Sequence, residues 1–238
     1  MLYDTFIARP DVDIKSNLAG ESYVMEQNSQ GYFVPSFFFD KYTEYYKSDK
    51  LIKYDLPLLI DKLDVLKAYD NPKQYLFTYF GQIQSFRNSD NIKQIFHKIT
   101  YTLDIFTTQN IASDEIFKVH PAVTKDELYS IVAGSKFLVA IDNSVPYNEY
   151  LPSKVYLYAS FTKPVIAFGD NNTSALRTFF KDYPYFYYQN INESLDGLLE
   201  FLNADFPNEF EESVYSDYIQ FSPEKALSPI ISTISNMD

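Results

Sequence analysis

From Tyr75 to Asn203 the sequence alternates short apolar runs with amphipathic stretches. The runs are YLFTYF, YTLDIFT, EIFKVHP, KFLVAID, PVIAF and YFYYQ, and they have the apolar character of strands buried on both faces. The amphipathic stretches include NSDNIKQIFHKI, TKDELYSIVAGS, TSALRTFFKDY and INESLDGLLEFLN. This alternation predicts βαβ units, and therefore an α/β fold with a doubly wound, Rossmann-like parallel sheet flanked by helices.

Local signals support the predicted helices. Thr124 and Glu127 have the spacing of a capping box at the start of a helix. His97 lies within an earlier helix and is expected on its solvent face. The apolar side of that earlier helix is predicted to contain Ile92, Ile95, Phe96 and Ile99.

Residues 1–70 lack the alternation and are predicted to form an irregular N-terminal segment. ESYVMEQNSQGYFVPSFFF indicates two extended segments, of which the one containing Pro35 is an edge strand. DLPLLIDKLDVLKAY predicts a helix with an apolar stripe of Leu56, Leu59, Leu63 and Leu66. Residues 71–238 are predicted to form the Rossmann-like domain with C-terminal helices, the last of them capped by Ser222 with Pro223 at its first position.

Composition narrows the classes of function. The 238 residues include 32 acidic and 20 basic side chains, a net charge of −12, which repels nucleic-acid backbones. Cysteine is absent and there are only 2 histidines, so we expect neither thiolate chemistry nor a cysteine or histidine-rich metal centre. No run approaches the ~20 apolar residues that span a bilayer. The sequence therefore predicts a cytoplasmic protein, with peripheral association at the inner face of the membrane left open.

Ligands of an open parallel sheet bind beyond the carboxyl ends of its strands. Near one such end, Pro152, Ser153 and Lys154 begin a predicted helix, where free N–H groups, a hydroxyl and a cation suit a phosphate. The alternative is an ordinary capped helix whose Lys154 faces solvent. Gly81 ends another strand and Arg87 follows it, so a close backbone approach and a guanidinium clamp on a diphosphate are expected there. Arg87 as a surface residue is the alternative.

His120 stands between a predicted strand and the cap of the next helix. Its functional interpretation is contact with a base or a sugar, and its alternative is a structural histidine. The acidic pairs Asp126-Glu127 and Glu211-Glu212 are interpreted as solvated surface.

Three segments, in this order, resemble a known family: FTYFGQIQSFRNSDNIKQIF, HPAVTKDELYSIVAGSKFLVAIDNS and LPSKVYLYASFTKPVIAF. They are similar to the C-terminal, nucleotide-sugar-binding domain of GT-B fold glycosyltransferases of the retaining group that includes bacterial capsule and exopolysaccharide enzymes. The resemblance covers residues from about 75 to 204. It implies transfer of a sugar from a nucleotide-sugar to a saccharide or lipid-linked acceptor.

The resemblance also implies roles for single residues. Gly81 and Arg87 would flank the donor phosphates, and the backbone at Ser153 and Lys154 would hold the diphosphate. Arg87 and Lys154 would stabilise the leaving diphosphate without a metal. With this resemblance, the expectation is that the protein uses no metal and no other cofactor. The segment around His120 would line the nucleoside pocket. Glu149 would correspond to the first of two glutamates that the family places eight residues apart.

The sequence departs from the family pattern at three points. Leu157 stands where the family places the second Glu, which typically holds the donor ribose, and Thr162 stands where the family usually has Gly. The N-terminal segment is also shorter than an acceptor domain. A fragment of a longer enzyme, an enzyme that needs a partner subunit, and a non-catalytic relative are the three expectations that follow.

Three hypotheses of function remain open. The first is a glycosyltransferase or its donor-binding half, acting in surface polysaccharide biosynthesis. The second is a glycosyltransferase-like partner subunit that does not catalyse. The third is an unrelated doubly wound domain that binds a phosphosugar or regulates another protein.

Overall fold

A computed structural model of the chain describes residues 32–35, 39, 43–44, 51–54, 60–83, 89–142, 151–152, 154–170, 174–218 and 226–235. The chain divides into two compact units, one of residues 60–146 and 151–218 and one of residues 1–59, 147–150 and 219–238. The predicted boundary after residue 70 stays a prediction.

The described strands and helices are numbered in chain order. The strands are β1 (Tyr32–Pro35), β2 (Leu51–Tyr54), β3 (Tyr75–Phe80), β4 (Leu103–Thr107), β5 (Phe117–Pro121), β6 (Ser135–Ile141), β7 (Val165–Gly169) and β8 (Phe186–Asn190). The helices are α1 (Lys62–Ala68), α2 (Ser89–Ile99), α3 (Lys125–Gly134), α4 (Lys154–Ser160), α5 (Ala175–Phe179), α6 (Asp196–Asn203), α7 (Glu212–Tyr218) and α8 (Ser228–Ser235).

Six strands of the larger unit form one sheet in the order β5-β4-β3-β6-β7-β8, and every neighbouring pair is parallel. The chain runs outward from the central strand β3 to the edge strand β5. It then returns to β6 on the other side of β3. This confirms the predicted Rossmann-like sheet, and it places the topological switch point between β3 and β6, where such sheets bind ligands.

Helices cover both faces of this sheet. Beneath α2 and α6, one face holds a continuous apolar core with Phe77 of β3 and Phe137 of β6 at its centre. The predicted apolar side of α2 is buried in this core, and His97 is exposed as expected. On the opposite face, α4 buries every residue from Val155 to Ser160. Both faces are therefore apolar, which explains why the strands read as unbroken hydrophobic runs.

Two helix ends follow from local hydrogen bonds. At the start of α3, Glu127 N–H donates to Thr124 Oγ1 (3.4 Å) and Thr124 N–H donates to Glu127 Oε2 (3.3 Å), so the predicted capping box is present. At the end of α2, Tyr101 N–H donates to Phe96 O and Thr100 N–H donates to His97 O. This is a Schellman motif, and it requires Thr100 to take a φ of 58°.

The predicted apolar stripe of α1 is wrong in its described part. Leu63 and Leu66 are 62% and 38% exposed, whereas Val65 is fully buried. The Asp61 side chain accepts a hydrogen bond from Leu63 N–H and so caps the start of α1. The Lys125–Asp64 ion pair (2.7 Å) then joins α1 to α3. The other two leucines of the stripe, Leu56 and Leu59, lie outside the described residues.

The smaller unit contains a parallel pair of strands, β1 and β2, with Tyr32 opposite Leu51. The strand β1 confirms the extended segment predicted around Pro35. The last helix begins, as described, at Ser228, and the predicted cap at Ser222 and Pro223 lies outside the described residues. Among the helices that the structure describes, none has the length and apolar character needed to cross a membrane.

Candidate functional site

The switch point brings two of the predicted site residues together. Gly81 follows β3 directly and has a φ of 140°, a conformation that favours glycine. A Cβ at this position would lie 3.4 Å from Lys154 Nζ and 3.1 Å from Tyr79 Oη. The Lys154 ammonium therefore lies against the bare backbone of Gly81, at the carboxyl end of the central strand.

Helix α4 is fixed at this edge by its buried face. Tyr158 Oη accepts from Phe80 N–H (3.4 Å), and burial raises the pKa of the Tyr158 hydroxyl, which keeps it neutral. Lys154 is the first residue of α4 and is half-buried, while the helix beyond it is fully packed. The site thus has a cation on a rigid element, directed to the end of β3.

Arg87, Glu149 and Ser153 lie outside the described residues. The segment that leads to Arg87 is nevertheless anchored at its start. Ile83 N–H donates to Gln109 Oε1 (2.7 Å), and Gln109 Nε2 donates to Ile83 O (3.4 Å). Gln109 follows β4, so one amide side chain ties the loop after β3 to the loop after β4. Sequence reasoning missed Gln109 because this pairing depends on two loops that meet only in the folded sheet.

His120 lies near the carboxyl end of the edge strand β5. Its Nε2 lies 2.6 Å from Asp104 Oδ1 of β4. Its ring stacks on Phe106 at a centroid distance of 4.6 Å and meets the Tyr75 ring edge-on at 6.0 Å. The imidazole is therefore held on three sides by residues that the sequence analysis did not single out.

A row of rings connects the two parts of this edge. Phe80 of β3 stacks on Phe106 of β4 at 5.0 Å, and Phe106 stacks on His120 of β5. Gly81 N–H donates to Phe106 O (3.0 Å), which aligns the end of β3 with the same row. Neighbouring strands lie about 4.8 Å apart, so His120 is roughly 10 Å from Gly81 along the edge.

A second cluster lies at the ends of β6, β7 and β8. The buried Asp142 carboxylate accepts from Tyr188 Oη (3.0 Å). This bond crosses the strand between them, which is possible because a Cβ at Gly169 would lie only 2.3 Å from Tyr188 Oη. The Arg177 guanidinium lies 4.0 Å above the Tyr188 ring. The cluster fixes the residue from which the segment leading to α4 departs.

Two of the three departures from the family pattern, Leu157 and Thr162, lie at described positions. Leu157 is 7% exposed, so its side chain is packed within α4's buried face. Thr162 has a φ of 51°, in the left-handed region, and its Oγ1 accepts from Glu211 N–H (3.0 Å). Thr162 thus has a backbone conformation that favours glycine, which is the residue that the resemblance places at this position.

No cluster of three or more His, Asp or Glu side chains that could hold a metal ion occurs in the described part of the chain. The candidate site is instead a cationic and aromatic edge. Its chemistry suits an anionic group at the Gly81–Lys154 end and a flat, hydrogen-bonding ring at the His120 end.

No protein-family profile matches the sequence, and no curated protein matches it. Solved structures do match. HepE from Anabaena in complex with UDP-glucose has a TM-score of 0.66 at 10% identity, over 98% of this chain and 71% of that one. HepE in complex with UDP has a TM-score of 0.67 at 10% identity, over 97% and 70%.

Two further structures are similar. The GtfA/B complex has a TM-score of 0.57 at 11% identity, over 93% of this chain and 48% of that one. AviGT4, a glycosyltransferase involved in avilamycin A biosynthesis, has a TM-score of 0.54 at 10% identity, over 80% and 59%. This chain therefore spans less than two thirds of these two chains. At such identities the likeness shows the fold alone, and that fold is the Rossmann-like α/β fold of GT-B glycosyltransferases.

Proposed function

We propose that this chain is a glycosyltransferase, or the donor-binding half of one, that transfers a sugar from a nucleotide-sugar to a saccharide or lipid-linked acceptor. The observation that carries the proposal is the placement of the Lys154 ammonium against Gly81 at the switch point. A diphosphate bound there would meet the Lys154 ammonium and the backbone of Gly81, which carries no side chain. As the sugar leaves, the negative charge that develops on the diphosphate would be stabilised by Lys154 and by Arg87.

The length of the site supports a nucleotide rather than a lone phosphate. The ring row extends from Phe80, which immediately precedes Gly81, to His120. The separation of Gly81 and His120 is of the order of the distance between the diphosphate and the base of a nucleoside diphosphate. The structures of HepE with UDP-glucose and with UDP are of a protein that shares the fold and binds such a donor. We assign Gly81, Lys154, Arg87 and Ser153 to the diphosphate, Glu149 to the donor sugar, and the segment around His120 to the nucleoside.

The biological setting that we propose is bacterial surface polysaccharide synthesis, at the cytoplasmic side of the membrane. We propose a reaction without a metal, in which Lys154 and Arg87 would supply the positive charge that a metal would otherwise provide. A partner subunit or a further domain would supply the acceptor site.

A second candidate function is a non-catalytic, glycosyltransferase-like subunit. The observation that favours it is Leu157, which is packed at the position where the resemblance places a ribose-binding Glu. A leucine offers no hydrogen bond to a ribose, and a lost hydrogen bond costs about 1–3 kcal/mol. Binding of the donor would then be weaker, and transfer would depend on the partner.

Release of nucleoside diphosphate from UDP-, GDP- and dTDP-sugars, in the presence of saccharide acceptors, separates these candidates. The enzyme proposal predicts turnover of one donor, unchanged by EDTA and reduced in kcat at least tenfold, or about 1.4 kcal/mol, by Lys154→Ala. Nucleotide binding without turnover would instead support the non-catalytic subunit. Turnover that Lys154→Ala leaves unchanged would contradict the assignment of Lys154.

A further inference from the structure

The contact between Asp104 and His120 fixes which ring nitrogen of the histidine can bind a ligand. Asp104 Oδ1 lies 2.6 Å from His120 Nε2. A carboxylate only accepts hydrogen bonds, so Nε2 must carry the proton in this contact. In the neutral imidazole, Nδ1 is then bare and acts as a hydrogen-bond acceptor. The His120 side chain is 33% exposed and the Asp104 side chain is 17% exposed, so the imidazole is accessible to a ligand.

The ring is also held in position by its neighbours. It stacks on Phe106 with an interplanar angle of 16°, and the Tyr75 ring contacts it edge-on. The backbone adds a further constraint, because His120 is the register partner of Phe106 between β5 and β4. A ring held in this way presents its free nitrogen in one direction, which is what recognition of a ligand's edge requires.

The position of the pair on the sheet indicates which part of a bound nucleotide it would contact. His120 shares one side of the sheet with Phe106 and Phe80, and Phe80 immediately precedes Gly81. A nucleotide whose diphosphate lies at Gly81 and Lys154 would place its base two strands away, beside His120. This step rests on the proposed function.

We propose that Asp104 and His120 form a base-reading pair that selects the nucleotide of the donor. Nδ1 would accept a hydrogen bond from a ring N–H on the base edge. Uracil and thymine carry such a donor at N3 and guanine carries one at N1, whereas cytosine and adenine present a ring acceptor at the equivalent place. The pair therefore favours uridine, thymidine or guanosine diphosphate and disfavours cytidine and adenosine diphosphate. Asp104 acts as a positioning residue, because it sets the tautomer of His120.

Calorimetric titration of the full chain with UDP, dTDP, GDP, CDP and ADP tests this pair. At least one of the first three should bind at least ten times more tightly than CDP, a difference of about 1.4 kcal/mol. In Asp104→Asn, the amide can either accept from or donate to Nε2, so both tautomers of His120 are accommodated. The preference over CDP should then fall to about threefold or less, about 0.65 kcal/mol.

The ratio of affinities is the informative readout. Asp104→Asn also removes a negative charge. Loss of this charge strengthens the binding of every diphosphate equally, so a change in the ratio of affinities reports the tautomer of His120 and not the charge. Asp126→Asn, at the exposed first turn of α3, makes the same change of charge and should keep the wild-type preference. His120→Phe retains a ring to stack on Phe106 but has no acceptor, so it should lose the preference. Circular dichroism and thermal unfolding establish that each variant is folded.

The outcomes separate the two proposals. Binding of several diphosphates without a base preference would overturn the base-reading pair and leave the donor site standing. A preference that is the same in wild type, Asp104→Asn and His120→Phe would also overturn it. A wild-type chain that binds none of the five nucleotides would overturn both the pair and the proposed function.

Discussion

Two threonines adopt a backbone conformation that usually belongs to glycine. Thr100 has a φ of 58° and Thr162 a φ of 51°. A left-handed residue other than glycine costs roughly 1–2 kcal/mol. The two sites differ in their surroundings, because Thr100 is exposed, whereas Thr162 is buried and its hydroxyl accepts from Glu211 N–H. Thr100 Oγ1 donates to the carbonyl of the preceding residue, Ile99 O (2.7 Å), and supports no N–H of a distant segment. The two sites therefore separate backbone strain from the loss of an acceptor for another segment's N–H.

We expect Thr100→Gly to raise the free energy of unfolding by roughly 0.5–1 kcal/mol, since relief of strain is partly offset by the entropy of glycine in the unfolded chain. Thr162→Gly should give no gain or a loss, because the part-buried Glu211 N–H loses its acceptor, at about 1–3 kcal/mol. Urea unfolding of both variants is the measurement. As a control, Thr100→Ala removes the hydroxyl without relieving the strain and should not stabilise. Equal stabilisation by the two glycine variants would contradict this account.

Lys163 is a charged residue in an apolar place. It is 4% exposed, its Nζ donates to Asn208 O (3.1 Å), and it lies 5.0 Å from the centre of the Tyr69 ring. Burial lowers the pKa of the Lys163 ammonium from 10.5 to about 8. Between these two pH values the unfolded chain binds more protons than the folded one, so the free energy of unfolding should rise with pH from about 8 towards 10.

The comparison with Lys163→Met isolates this titration. At pH 7 the buried charge opposes folding by roughly 3 kcal/mol, and this penalty is lost as the pH rises. The stability of the variant relative to wild type should therefore decline between pH 7.5 and 10, because only wild type gains stability as Lys163 loses its proton. The tyrosines that titrate at higher pH are common to both proteins, so their effect cancels in the comparison. Lys136→Met, at an exposed position of β6, should show a constant difference. A constant difference for Lys163→Met as well would refute the lowered pKa.

At the scale of single residues, the sequence could indicate which side chains have suitable chemistry but not what they touch. Gly81 and Lys154 were predicted from their positions at strand and helix ends, and the structure brings them together. The Asp104 partner of His120 could not be predicted, because Asp104 lies inside a strand and nothing local distinguishes it from a tolerated acid. The same holds for Asp142, whose bond to Tyr188 depends on the absence of a side chain at Gly169.

At the scale of elements, hydrophobic pattern and capping chemistry were sufficient for the main sheet. The six strands and the helix α2 follow their apolar runs, and α3 begins at its predicted capping box. The prediction of a buried leucine stripe on α1 is wrong, because a helical spacing of leucines does not determine which face of the helix packs against the rest of the protein. Val65 is buried instead, and the ion pair between Asp64 and Lys125 lies beside it.

The clamp between two loops gives a prediction at this scale. Gln109 joins the loop after β4 to Ile83, from which the chain leads to Arg87. Gln109→Leu removes both hydrogen bonds, so we expect the affinity for nucleoside diphosphate to fall several-fold, through Arg87. Gln109→Glu keeps an acceptor for Ile83 N–H and should retain more of the affinity. Calorimetric titration and thermal unfolding of both variants test this, and wild-type affinity in a folded Gln109→Leu would show that the clamp has no role in binding.

At the scale of the whole molecule, strand order determines where a ligand can bind. Alternating strands and helices predict a doubly wound sheet but not the order of its strands. The observed order, with β3 beside β6, creates the switch point and places Lys154 against Gly81. The net charge of −12 makes this local cation more significant, because the surrounding field disfavours anions that are not specifically bound.

The most direct test of the central claim is calorimetric titration of the wild-type chain and Lys154→Ala with UDP, GDP, dTDP and CDP. Lys136→Ala is the matched control, because it removes a lysine from the amino-terminal end of the same sheet. We predict saturable binding of at least one nucleotide by wild type and by Lys136→Ala, and affinity at least tenfold weaker in Lys154→Ala, about 1.4 kcal/mol. Absence of binding to the wild-type chain, or equal affinity in Lys154→Ala, would contradict a nucleotide site at the switch point.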